Sequence, residues 1–220
     1  MGPPPQSSSR TANPAGSHPP RPEPEPVSEE LGRWLSGDGT KTLGGLIELF
    51  EEKSFALLFV LLLGVPALPL PTGGATHVFE IIAVLLALQL IAGRKRIWLP
   101  ARWYKLELAG PRQQRFILGL MKLIRRLERL SRPRLRFLFN HRLSNVVFGL
   151  LVIGGTLGAF LAPPFTGLDT LPSLGVVLLS LGVLLEDVLV VILGLAIGVA
   201  GVVLEIVLGS AAVGGIEKLL

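Results

Sequence analysis

Few residues of this chain stand where they could do chemistry. Glu80 is the one carboxylate in the interior half of the apolar block 75–93; His77 lies one helical turn before it, and Gln89 lies further along the same block. Ionisable side chains inside membrane-length apolar segments are expensive and are read as functional by default. Glu80 suits a proton or cation site, with His77 placed to share the proton. The plain alternative is a solvated Glu80 near the apex of a hairpin. Glu186 and Asp187 read as a solvated polar turn, and Glu205, late in the last apolar block, is expected to reach the interface. His18, His77 and His141 are too scattered for a metal site, and there is no cysteine, hence no thiol chemistry or disulfide.

The elements that must position these side chains are apolar blocks. Half of the 220 residues are apolar and 17% are charged, against about a quarter in a soluble domain, and the mean hydropathy is +0.59. The blocks run over 54–70, 75–93, 146–162, 171–185 and 188–209. A spanning helix needs about 20 apolar residues, so several blocks are short. Pro66, Pro69 and Pro71 break the first pair of blocks, and Pro163 and Pro164 the second. Proline removes a backbone donor, and freed carbonyls are tolerated at membrane depth only inside protein or a wet cavity. Each break therefore ends a short span at the far interface or lies in a re-entrant hairpin; both readings stand. With Glu80, His77 and Gln89, these prolines form a candidate substrate or ion pathway.

An internal repeat at an offset of roughly 93 residues relates the two pairs. Phe55-Ala56-Leu57-Leu58 falls on Phe148-Gly149-Leu150-Leu151, Pro71 on Pro164, Gly74 on Gly167, and Val84-Leu85-Leu86 on Val177-Leu178-Leu179. Matching Pro/Gly breaks in paired apolar segments point to a transporter-like site at a repeat interface; duplication of a hairpin without transport is the alternative. Gly154, Gly155 and Gly158, and Gly194, Gly198 and Gly201, permit close helix approach. They make a homodimer plausible and serve packing within one chain equally well.

The net charge of +5 invites a nucleic-acid reading, but most Lys and Arg lie between Arg94 and Arg142, directly between apolar blocks. There a polybasic stretch meets anionic headgroups, so no nucleic-acid partner is expected. Pro111 opens a helix whose Phe116, Leu120, Ile124 and Leu127 share one face. Arg112, Arg115, Lys122, Arg125, Arg126 and Arg129 are the candidate lipid contacts. Such a helix lies in the headgroup plane or packs its apolar stripe on the bundle.

Orientation follows from the Lys/Arg asymmetry: the apices carry none, which puts the 94–142 connection and the N-terminus in the cytoplasm. Residues 1–39 read as a disordered Pro-rich cytoplasmic tail, and 40–220 as the membrane domain. Within it, 40–93 is the first repeat with a leading amphipathic helix capped by Thr40 or Thr42, and 143–209 is the second repeat plus the last span, opening at Ser144-Asn145. The expected fold is all-α: a polytopic helical membrane protein of two repeated Pro/Gly-broken hairpins joined by a basic amphipathic segment. No P-loop, dinucleotide fingerprint or nucleophile elbow occurs, so no enzyme activity and no cofactor are expected.

Thr42-Leu43-Gly44-Gly45-Leu46, Glu52-Lys53-Ser54-Phe55-Ala56-Leu57-Leu58 and Pro66-Ala67-Leu68-Pro69-Leu70-Pro71 carry a resemblance, continued by Leu88-Gln89-Leu90-Ile91-Ala92-Gly93-Arg94-Lys95-Arg96, Trp98-Leu99-Pro100 and Leu127-Glu128-Arg129-Leu130. From Thr42 to about Gly209 the chain resembles the ExoD-type exopolysaccharide synthesis proteins. The resemblance implies a multi-pass protein of the bacterial inner membrane linked to exopolysaccharide production, without established catalytic residues. Family members often have Arg-Asp-Gly near the later turn, where this chain has Glu186-Asp187-Val188; the lost glycine puts a tight turn in doubt.

The leading expectation is a non-catalytic component of exopolysaccharide synthesis or export. It would handle a lipid-linked precursor or scaffold the synthesis machinery, with polysaccharide-synthesis membrane proteins as partners. The alternatives are a small inverted-repeat-like transporter of ions, protons or a polyprenyl phosphate, and a surface-docking protein acting through the basic helix.

Overall fold

The computed structural model describes residues 2, 26–50, 53–68, 76–94, 96–108, 110–130, 142–162 and 167–217. Among them the chain is helical: α1 (Val27–Ser36), α2 (Leu43–Phe50), α3 (Ser54–Leu63), α4 (Thr76–Ile91), α5 (Ala101–Tyr104), α6 (Pro111–Leu130), α7 (Arg142–Leu161), α8 (Thr170–Leu184) and α9 (Val188–Glu217). An isolated antiparallel bridge joins Thr42 to Glu107.

Five apolar helices make the bundle. α3 and α8 are almost wholly buried, while α4, α7 and α9 flank them. α3 packs on α8 and α4 on α7, in addition to the sequential pairs α3–α4, α7–α8 and α8–α9. α4 runs antiparallel to α7: His77 meets Phe160 at one end, and a Cβ on Gly149 would meet Ile91 at the other. On α4, Glu80, Ala83, Ala87 and Leu90 face inward, and Val78, Ile81, Leu85 and Leu88 are exposed. The outward stripe is as apolar as the buried one, unlike the polar outer face of a helix on a soluble core.

Glycines set the closest approach, between α8 and α9. A Cβ on Gly201 would stand 2.7 Å from the Pro172 nitrogen, and one on Gly175 would stand 2.9 Å from the Gly194 carbonyl oxygen while overlapping Gly198. Both are backbone obstacles that no rotamer change relieves. The α8–α9 turn closes without glycine. Glu186 takes the left-handed conformation at φ 56°, and the buried Asp187 accepts a hydrogen bond from the Leu189 N–H at 2.7 Å. The side chain of Glu186 also pairs with Lys53 at 3.0 Å, tying the turn to the start of α3.

The shorter and more polar helices attach to this bundle. Thr42 caps α2, its hydroxyl accepting the Gly45 N–H at 3.2 Å, as its residue type favours. α6 begins at Pro111 as expected. Its stripe of Ile117, Leu120 and Ile124 is buried, and α1 packs on it. The Ser28 N–H donates to one Glu128 oxygen at 3.0 Å and the Ser28 hydroxyl to the other.

Two boundaries are corrected. Residues 27–36, assigned from sequence to the disordered tail, are α1: Val27 and Leu31 recur at helical spacing and bury themselves in the core. Residues 3–25 of that tail lie outside the described residues. α7 opens at Arg142 rather than at Ser144-Asn145.

Candidate functional site

The site is built where α4, α7, α8 and α9 meet. His77 and Glu80 share a face of α4 at i,i+3, and the His77 Nδ1 lies 2.6 Å from the Glu80 Oε2. Glu80 is fully buried, while the side chain of His77 is 30% exposed. The Phe160 ring of α7 covers the imidazole, with centroids 4.9 Å apart. The other Glu80 oxygen, Oε1, has no hydrogen-bond partner among the described residues.

Glu205 joins this site, contrary to its expected place at the interface. It is buried on α9, with Oε1 unpartnered among the described residues. A Cβ on Gly158 of α7 would stand 3.8 Å from its Oε2. Asp169 and Glu80 lie close enough to bear on it electrostatically, and Asp169 on Glu80 as well. The hydroxyls of Thr156, Ser173 and Ser180 are likewise buried without partners among the described residues. Such groups carry a full desolvation cost in the absence of a ligand or water. The signal for Glu205 was in the sequence: Gly194, Gly198, Gly201 and Glu205 are spaced four, three and four apart and share the packed face of α9.

The remaining candidates are placed differently. Gln89 clips the end of α4 to the loop that follows it. Its side-chain amide donates to the Trp98 carbonyl at 3.1 Å and its Oε1 accepts the Trp98 N–H at 2.8 Å. A polar side chain in an apolar block signalled a pathway, but here it serves the following loop's backbone. Pro66 is buried in the turn that follows α3. Pro69, Pro71, Pro163 and Pro164 lie outside the described residues. On α6, Arg115, Lys122, Arg125, Arg126 and Arg129 are all exposed; the side chain of Arg112 lies outside the described set. The buried stripe agrees with the second reading of this helix, in which it packs on protein.

An apolar groove of about 300 Å³ runs between α7, α8 and α9, floored by Gly154, Gly155, Gly175, Gly194 and Gly198. Among the described residues no group of three or more His, Cys, Asp or Glu could hold a metal ion.

Two helices, Arg142–Leu161 and Val188–Ala211, are long and apolar enough to cross a membrane. The class is thus an all-helical protein with candidate spans enclosing ionisable groups. The chain belongs to the ExoD exopolysaccharide synthesis family, whose model matches residues 27–207. It is 35% identical over 177 residues to Protein ExoD of Rhizobium meliloti, covering 79% of this chain and 72% of that one. It is also 29% identical over 170 residues to an uncharacterized protein of Synechocystis sp., covering 77% and 76%. No solved structure matches.

Proposed function

We propose that this protein is a multi-pass component of the bacterial inner membrane that serves exopolysaccharide synthesis or export without catalysing a reaction, by handling a lipid-linked precursor. Family membership supplies the process. The observation that carries the membrane reading is the exposed apolar surface of α4, α7 and α9, including Ile81, Leu85, Leu150, Leu157, Ile192 and Val203. Surfaces of that extent on a soluble monomer would drive association; in lipid they are the solvated face. The glycine-floored groove favours precursor handling over pure scaffolding, since it offers an apolar chain a place between helices.

The exposed basic face of α6 lies on the inner leaflet in this reading and contacts anionic headgroups. The Phe116 ring of α6 would meet a Cβ on Gly64, just past α3, at 2.7 Å. That contact supports a re-entrant first hairpin, because a residue of the cytoplasmic connection reaches the start of the break.

A second reading, a transporter of ions or of a polyprenyl phosphate, draws on Glu80 and Glu205. Its repeat relation is better taken as parallel than inverted. An inverted pair would enter the membrane from opposite sides. The pairing of Lys53 with Glu186 and the approach of Gly149 to Ile91 instead favour α3 and α7 starting at one end. Exchange of the repeats turns the α3–α8 contact into α7–α4, and both are extensive.

Deletion of the gene, followed by profiling of surface polysaccharide and lipid-linked intermediates, tests the proposal. Reduced polysaccharide with accumulated intermediates is expected for precursor handling. Reduced polysaccharide with normal intermediates would move the assignment to scaffolding.

A further inference from the structure

We infer that Glu80 and Glu205, with the hydroxyls of Thr156 and Ser173, form a site for a monovalent cation, sodium or a proton, inside the helix bundle. The inference rests on the membrane reading of the bundle and adds a ligand to it.

The charges facing this region do not balance. α4 contributes Glu80 and His77, α8 begins beside Asp169, and α9 contributes Glu205. α8 and α9 contain no Lys or Arg, and α7 has only Arg142, at its opposite end; the connections 64–75 and 162–169 have none either. Among the described residues His77 is therefore the one basic side chain near three carboxylates, and it already engages one oxygen of Glu80. Uncompensated buried charge is strongly unfavourable, so the pair calls for a further positive charge.

The oxygens are arranged to receive one. Thr156 lies one turn before Phe160 on α7, on the same face, and Phe160 covers His77. The antiparallel packing of α4 on α7 then brings Thr156 to the level of Glu80. Ser173 lies one turn inward of Asp169 on α8, its N–H donating to the Asp169 carbonyl at 3.1 Å. Both hydroxyls are fully buried, and neither has a partner among the described residues. The repeat offset also puts Ser173 where Glu80 stands in the first copy. Carboxylate and hydroxyl oxygens suit a hard cation, and since His77 already engages one of the two buried glutamates, a single further positive charge completes the balance of the pair.

The test uses the full chain in lipid nanodiscs, whose formation reports separately on the membrane reading. Thermal unfolding is followed in sodium chloride against choline chloride at equal ionic strength, and the infrared carboxylic-acid band is recorded for wild type, Glu80→Gln and Glu205→Gln. A sodium site gives a sodium-specific rise in Tm, with apparent affinity reduced about tenfold or more in Glu205→Gln. A proton site gives no sodium effect and a carboxylic-acid band that weakens in either variant. A wild-type protein with neither response overturns the inference, whether or not the variants fold, and leaves the role in polysaccharide synthesis standing.

Discussion

Gln89 and Trp98 hold each other by two hydrogen bonds, side chain to backbone, at 3.1 and 2.8 Å. The end of α4 is thereby fastened to the loop that leads into the basic segment. Replacing Gln89 with Ala removes both bonds. The freed Trp98 backbone groups are exposed and can turn to water, so the expected cost is about 1–2 kcal/mol. A lower Tm and faster proteolysis near 94–100 would show it. An unchanged Tm would contradict a structural role for this clip.

The α8–α9 interface gives a contrast between glycines. Gly175→Ala sets a methyl against the Gly194 carbonyl at 2.9 Å, whereas Gly154→Ala meets nothing within 4 Å. The first is expected to cost about 1–3 kcal/mol and the second less than about 0.5 kcal/mol. Thermal unfolding of the two variants in the same lipid decides, and equal Tm values would contradict the packing described.

Backbone strain at Glu186 yields a third test. Its left-handed φ of 56° costs a non-glycine residue about 1–2 kcal/mol, while the part-exposed pair with Lys53 is worth about 0–1 kcal/mol. Glu186→Gly and Glu186→Ala both lose the pair, but only glycine relieves the strain. Glu186→Gly is expected to be the more stable of the two; the reverse order in thermal melts would refute the conformation assigned to the turn.

Much of this architecture was legible in the residues. Thr42 announced the start of α2 and Pro111 that of α6, because capping and first-turn geometry are local. The glycine face of α9 was legible too, since helical spacing alone defines it. Glu205 was missed because its position in the block suggested the interface, although the same spacing extends the packed face to it. The Gln89 clip was not legible for the opposite reason: its partner is a backbone nine residues on, a contact no periodicity encodes. α1 was hidden by the Pro-rich sequence around it, and its Val27 and Leu31 gain their meaning only from the stripe on α6 that they cover.

The basic face of α6 should act electrostatically. Neutralising Arg125, Arg126 and Arg129 removes three exposed charges worth about 1 kcal/mol each at an anionic surface. The soluble comparison is a peptide of residues 111–130, whose binding to anionic liposomes should weaken by roughly 100-fold and lose most of its salt dependence. Unchanged affinity would eliminate headgroup docking through this face.

The most direct measurement is the amount of surface polysaccharide made by a deletion strain, with and without the wild-type gene restored. A marked loss on deletion, recovered on restoration, is the expected result for a membrane component of exopolysaccharide synthesis. Polysaccharide unchanged in quantity and composition in the deletion strain would contradict it.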